Sequence, residues 1–477
     1  MENSMSNIII PRRNFLSNAA ALGVGGAVQR LGLAGLSAAA GFGSSTALAQ
    51  TANDYKALVI VFLFGGNDGN AMMMPYDQGA YDAYAAVRTV ASGINVARPD
   101  AAQAVTSSGD GKQYFFHPNL GAFRDLFRIG KLAVQSNVGT LMEPLTRAQY
   151  IARSKMRPEN LFSHSDQTAQ WQSSTSRGDI LSGWGGRIAD RLTSANGASV
   201  VPLSLSFSGS QMFGNGVSTS LLALPTNGNF GISGAPAANT TPSASQAARM
   251  AAISKINGLA TDTGMTGAGA NIFKRALDAS ALVAPITGST TSAVRPIFTG
   301  VNSGIATQLY AVARMIEARQ TLGHKRDIFF VSQGGYDTHS AQPTAHANLY
   351  AQLGAAMLAF YQATQQLGVA DQVTSATLSD FGRTFKPASG AGTDHAWGNH
   401  QIVMGGAVQG GKVYGNFPTH ALGSGDDSGN EGRWIPTTSV DQYGATLSKW
   451  FGASDSDLDY IFPNLNRFAS RNVGFMG

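Results

Sequence analysis

Residues 57–64 are apolar without a break. An apolar run with no alternation is the pattern of a strand buried on both faces, as in the middle of a parallel sheet. The run ends at Gly65, Gly66, Asn67, Asp68, Gly69 and Asn70, a turn whose glycines let backbone approach a ligand closely. Shorter runs at 132–136, 327–332, 372–378 and 400–405, and a β-like run at 199–207, predict further strands. Between them apolar residues recur at helical spacing. Leu120, Phe123, Leu126 and Phe127 share a face of a helix expected over 117–131. Ile305, Leu309, Val312 and Ile316 mark another, and Leu349, Leu353, Met357 and Phe360 a third. A late helix is expected over 440–451, and looser helical patterns cover 246–256 and 271–282. Strands alternating with helices give an α/β fold: a mainly parallel central sheet with helices on both faces.

One region breaks the alternation. From residue 208 to 245 the chain turns to Gly, Ser, Asn, Thr, Ala and Pro, the composition of an elaborated loop. It reads as the start of an insertion, extending to about residue 300, that serves as a lid or passive surface loop.

Composition narrows the function. The chain has 477 residues, of which 13% are charged, and its net charge of +5 is spread out with no basic stripe, so nucleic acid is not expected as a partner. Cysteine is absent, which excludes disulfides, thiolate zinc sites and a cysteine nucleophile. Arg12, Arg13, Phe15 and Leu16 precede a mildly apolar stretch and the small residues Ala47 and Ala49. That is the layout of a twin-arginine signal over residues 1–49, implying export by the twin-arginine translocase to the periplasm or beyond. The mature domain would then be residues 50–477. No later stretch is long enough to span a bilayer.

The chemistry collects at strand ends. Asp68, Asp337 and Asp380 each follow an apolar run closely, and His339, His395 and His400 lie in the same loops. Parallel neighbouring strands would bring these to one rim, where open α/β sheets place their sites. Gathered carboxylates need a cation, and carboxylate with imidazole is a ligand set for one or two divalent ions such as zinc, manganese or calcium. Two ions roughly 4 Å apart would clamp an in-line displacement at phosphorus. Ser163, ahead of an expected helix, is the candidate nucleophile. Arg383 and Asn70 are the candidate anion-holding groups. Each residue also has a plain alternative: Asp68 as a turn cap, Ser163 as an N-cap, Arg383 and Asn70 as loop hydrogen bonders.

The glycine turn at Asp68, Ser163-His164 with Trp171, Gly334 to His339, Ser379-Asp380 with Arg383, and Gly392 to His400 together resemble the DUF1501 family over nearly the whole mature chain. That family is similar in turn to the alkaline phosphatase and sulfatase superfamily. The resemblance implies a three-layer α/β/α sandwich with a two-metal centre. In it Asp68 matches the first-strand metal aspartate, Asp337 and His339 the pair of one metal, and Asp380 and His395 further ligands. Phe381 stands where the superfamily has histidine, so a ligand of the second metal is missing, for which His164 or His400 would compensate. No cysteine is available to make a formylglycine, which disfavours the usual sulfatase route. The expected activity is metal-dependent hydrolysis of a phosphate mono- or diester or other small anionic substrate. The alternative is a non-catalytic exported binding or surface-assembly protein on a degenerate hydrolase fold.

Overall fold

The computed structural model describes residues 55–227, 236, 240–259 and 264–477. The twin-arginine signal expected over residues 1–49 lies outside the described residues, as do parts of the expected insertion. Asp54–Asn227 and Ile286–Gly477 form one compact unit, and Gly228–Pro285 belongs to a second.

Among the described residues the strands are β1 (Lys56–Leu63), β2 (Met73–Pro75), β3 (Val105–Thr106), β4 (Gln113–Phe116), β5 (Leu132–Gly139), β6 (Ser204–Ser206), β7 (Leu222–Ala223), β8 (Arg326–Gln333), β9 (Val373–Ser379), β10 (Asn399–Gly405), β11 (Val413–Tyr414) and β12 (Thr438–Ser439). The longer helices are α1 (Gln78–Val87), α2 (Gly121–Arg128), α3 (His164–Ser173), α4 (Trp184–Leu192), α5 (Ala244–Gly258), α6 (Met265–Gly288), α7 (Gly304–Glu317), α8 (Gln342–Gln366), α9 (Val440–Phe451) and α10 (Asp455–Ile461). Helix α5 lies in the second unit.

The main sheet runs β11-β5-β10-β9-β1-β8-β6-β7, with β12 also on β5. Strands β9, β1, β8 and β6 are parallel, and β10 runs against both its neighbours. Strand alternation splits the apolar side chains between two faces. Leu58, Ile60 and Phe62 of β1 join α4, α9 and α10 in one core. Val59 and Val61 are equally buried. Helix α7 packs on β8 and on α8, and α2 packs on β5. The result is a largely parallel sheet sandwiched between helices.

One helix is shorter than its periodicity suggests. Pro118 places a tight 3-10 turn at Pro118–Leu120, and α2 begins only at Gly121. Proline has no N–H to donate and drives the preceding His117 into extended backbone.

Register sets up the site. Leu63 of β1 lies beside Gln333 of β8 and Ser379 of β9, so three strands end level. The loops carrying Asp68, Asp337 and Asp380 therefore open on one rim. Strand β10 starts at that rim because it runs the other way, which brings in His395 just before it.

Candidate metal centre

The first two loops touch because Gly65 has no side chain: a Cβ there would sit 2.4 Å from the Asp337 backbone nitrogen. Asp380 locks them from the third strand. Its carboxylate accepts from the Gly65 N–H at 2.9 Å and the Gly66 N–H at 3.0 Å. The other oxygen accepts from His164 Nδ1 at 2.6 Å. His164 is the first residue of α3, so the start of that helix meets the rim.

Around Asp337 the imidazoles converge. His164, Asp337 and His395 offer ligand atoms all within 4.8 Å of one another. Oδ1 of Asp337 lies 3.4 Å from His164 Nε2, 3.0 Å from His339 Nε2 and 3.2 Å from His395 Nε2. His395 Nε2 is in turn 3.1 Å from Nε2 of both His164 and His339.

The other ring nitrogens decide what those Nε2 atoms are. His395 Nδ1 sits 2.8 Å from the Phe162 carbonyl, which only accepts, so Nδ1 carries the proton. His164 Nδ1–H is held by Asp380 and His339 Nδ1–H by Asp394 at 3.0 Å. In their neutral forms all three rings therefore present bare Nε2 lone pairs to one place. Bare lone pairs 3.1 Å apart cannot hydrogen-bond each other; a shared cation satisfies them. Carboxylates and a carbonyl holding the remote N–H are the usual outer support of metal-bound histidine. The residues fit a divalent metal, and a nitrogen-rich set suits zinc better than oxygen-seeking calcium.

Electrostatics treat the rings differently. The hydrogen bond to Asp380 raises the His164 pKa against its partial burial, which favours the protonated ring, whose proton a bound cation would displace. Desolvation lowers that of His395, so this ring favours its neutral, ligating form. Burial pushes the Asp337 carboxyl up, but the Arg383 hydrogen bond and charge outweigh it and the net shift is down.

The remaining candidates are placed elsewhere. Asp68 is fully buried, with its carboxylate gripped by both terminal nitrogens of Arg88 at 2.7 and 3.1 Å and by Gln342 Nε2 at 2.6 Å. Both of its oxygens accept hydrogen bonds within this buried ion pair. His400 is also buried; its Nδ1 accepts from the Asn137 N–H at 3.2 Å and its ring stacks on Phe417. Asp380 holds His164 Nδ1 rather than joining the group of His164, Asp337 and His395.

The expected anion-holding groups are likewise committed. Arg383 is buried and donates to Asp337 at 2.8 Å, to the Gly65 carbonyl and to both oxygens of Thr393. Asn70 bonds Asp68, the Arg383 carbonyl and Trp434. Ser163 Oγ turns to Asp166 at 2.5 Å and to Ser165.

Beside His395, Arg433 is partly in solvent. It donates to the His395 carbonyl at 2.9 Å, pairs with Glu431 at 3.0 Å and lies over the Phe162 ring. Arg88 and Arg433 carry no local sequence signal that ties them to the rim. His164 did carry one, since it adjoins Ser163, and it was expected with His400 as a compensating ligand.

Residues 55–428 match the family described as "Protein of unknown function (DUF1501)". The chain belongs to the DUF1501 family. No curated protein matches this DUF1501 chain. Eleven solved chains do, among them two described here. The Ps i-CgsB crystal structure, solved with k-i-k-neocarrahexaose, is 12% identical, with a TM-score of 0.30 over 86% of this chain and 74% of that one. The PsFucS1 sulfatase from Pseudoalteromonas sp. is 9% identical, with a TM-score of 0.32 over 94% of this chain and 73% of that one. Overlaps so loose carry no argument about what the DUF1501 chain acts on.

Proposed function

We propose that this is an exported, metal-dependent hydrolase of phosphate mono- or diesters. The observation that carries the reading is the convergence of Nε2 of His164 and His395 with Asp337, each imidazole held by an oxygen acceptor on its far nitrogen. His164, Asp337, His339 and His395 would hold the ion. When bound, a divalent ion supplies Lewis-acid polarisation of a phosphoryl oxygen.

The chain's own groups do the rest. Asp380, Asp394 and the Phe162 carbonyl keep the imidazoles in their ligating tautomer. Arg383 fixes Asp337 and draws off part of its charge. Arg433, partly exposed and anchored to the His395 backbone, is the guanidinium available to an anionic substrate beside the centre. Its attachment to His395 would orient an anion relative to the cluster. Export rests on the arginine pair and cleavage-like residues of the leader. Among the described residues no helix is long and apolar enough to cross a membrane.

The test is a screen of the zinc- and manganese-loaded protein on aryl phosphate monoesters, diesters and sulfate esters. Turnover of a phosphate ester that His395→Ala abolishes in a folded protein is expected. A folded, metal-bound protein inert on the whole panel would sink the enzyme reading and leave the binding protein.

A further inference from the structure

We infer that the centre takes a single metal ion, with His339 as its fourth ligand, and that the Arg88 guanidinium is the resident cation for Asp68. The inference rests on the metal-dependent reading above and deepens it.

The first argument is donor availability. A second ion would need oxygens from Asp68 or Asp380. Both oxygens of Asp68 are already bonded, by Arg88, Gln342 and the Asn70 N–H, and both Asp68 and Arg88 side chains are 0% exposed. Both oxygens of Asp380 are taken by the Gly65 N–H, the Gly66 N–H and His164. Between them stands no polar side chain from position 381. Phe381 is fully buried, with its ring centre 4.6 Å from that of His164 and 4.8 Å from that of His395. Phe381 therefore sets hydrocarbon against both imidazoles.

The second argument is charge. Asp68, Asp337, Asp380 and Asp394 meet two guanidinium groups, Arg88 and Arg383. One divalent cation balances the remainder, whereas two would leave the rim cationic. The two sub-sites are physically linked. Gln342 donates to Asp68 and accepts from Thr393 Oγ at 2.5 Å, and Thr393 accepts from Arg383, which holds Asp337.

The case for His339 is contact. Its Nε2 lies within 3.1 Å of the donor atoms of both Asp337 and His395, while Asp394 holds its Nδ1–H.

The test is a cobalt(II) titration of the full chain after chelator treatment, read by visible absorption, with zinc and manganese content by elemental mass spectrometry. A plateau at one equivalent is expected, and His339→Ala should weaken cobalt affinity at least tenfold. His339 is half exposed, so this variant should fold. Two equivalents in the unaltered chain, or undiminished affinity in His339→Ala, would overturn the inference. No binding of cobalt, zinc or manganese would instead remove the metal reading beneath it.

Discussion

Asp68 and Asp337 follow neighbouring parallel strands at the same level of one sheet, yet they meet opposite fates. Asp68 is sealed from water and neutralised by a guanidinium that cannot leave. Asp337 is 44% exposed and faces the Nε2 atoms of three imidazoles. The difference lies in whether a fixed cation arrives with the fold. A carboxylate buried in low dielectric must be paired or protonated, and a covalently attached arginine is always present to pair it. A rim carboxylate surrounded by neutral donors is instead left for a cation from solution. Asp441 shows the third outcome. It is wholly buried in the first turn of α9, and desolvation pushes its carboxyl up to about 7 against hydrogen bonds from Ser174 and the Asn464 N–H, so it holds its proton below that pH.

The sharpest way to break this contrast is Arg88→Ala. Removing one partner of a fully buried pair should cost about 3–5 kcal/mol, measured by urea unfolding. A loss under about 1 kcal/mol would mean that Asp68 finds another cation, and the contrast would fall. The pair's contribution carries a sign. Burial pushes the Asp68 carboxyl up, but the charge and hydrogen bonds of Arg88, together with His346 and Gln342, outweigh it and hold the carboxyl below its usual range. Its stabilisation is therefore present above the unfolded-state value near 4 and is lost as pH falls through the lower folded value.

Next comes the outer support of the imidazoles. Asp380→Asn should weaken zinc affinity about 10–100-fold by competition titration, because Asp380 orients His164. Unchanged affinity would show that His164 needs no orienting carboxylate.

Asp441 should give a smaller, graded effect of opposite sign to Asp68. Its folded pKa is raised, so folding stability should decline from about pH 4 to about pH 7 and then level, with a slope of at most about 1.4 kcal/mol per pH unit. Asp441→Asn should flatten that slope in a pH series of unfolding curves; an unaltered slope would place the titration elsewhere.

The smallest effect is expected at Asp394. It is half exposed and holds His339 through one hydrogen bond, so Asp394→Asn should reduce metal affinity no more than about tenfold. A larger loss would make Asp394 a ligand in its own right.

Much of the frame was legible in the chain itself. The apolar run of β1, the 3.6-residue faces of α7 and α8, and the glycine turns follow from local physics, and they carried the α/β assignment. Asp337, His339 and His395 were legible too, because loop residues after strands reach one rim in any parallel sheet. Asp68 carried the same local signal and turned out to be an ion pair. Its partner Arg88 lies 20 positions away at the end of α1 and is joined by Gln342, 274 positions away. Arg383 looked like an anion clamp from its neighbours in sequence. Its burial against Thr393 and Gly65 depends on loops that meet only in the folded sheet.

By itself, then, the sequence determined the strands, the helices and which loops carry carboxylate and imidazole, since periodicity and turn chemistry act over a few residues. Tertiary structure alone decided which acid receives a guanidinium, which keeps a proton and which is left facing bare imidazole nitrogens. Those outcomes depend on burial and on partners tens to hundreds of residues distant, and neither has a local signature.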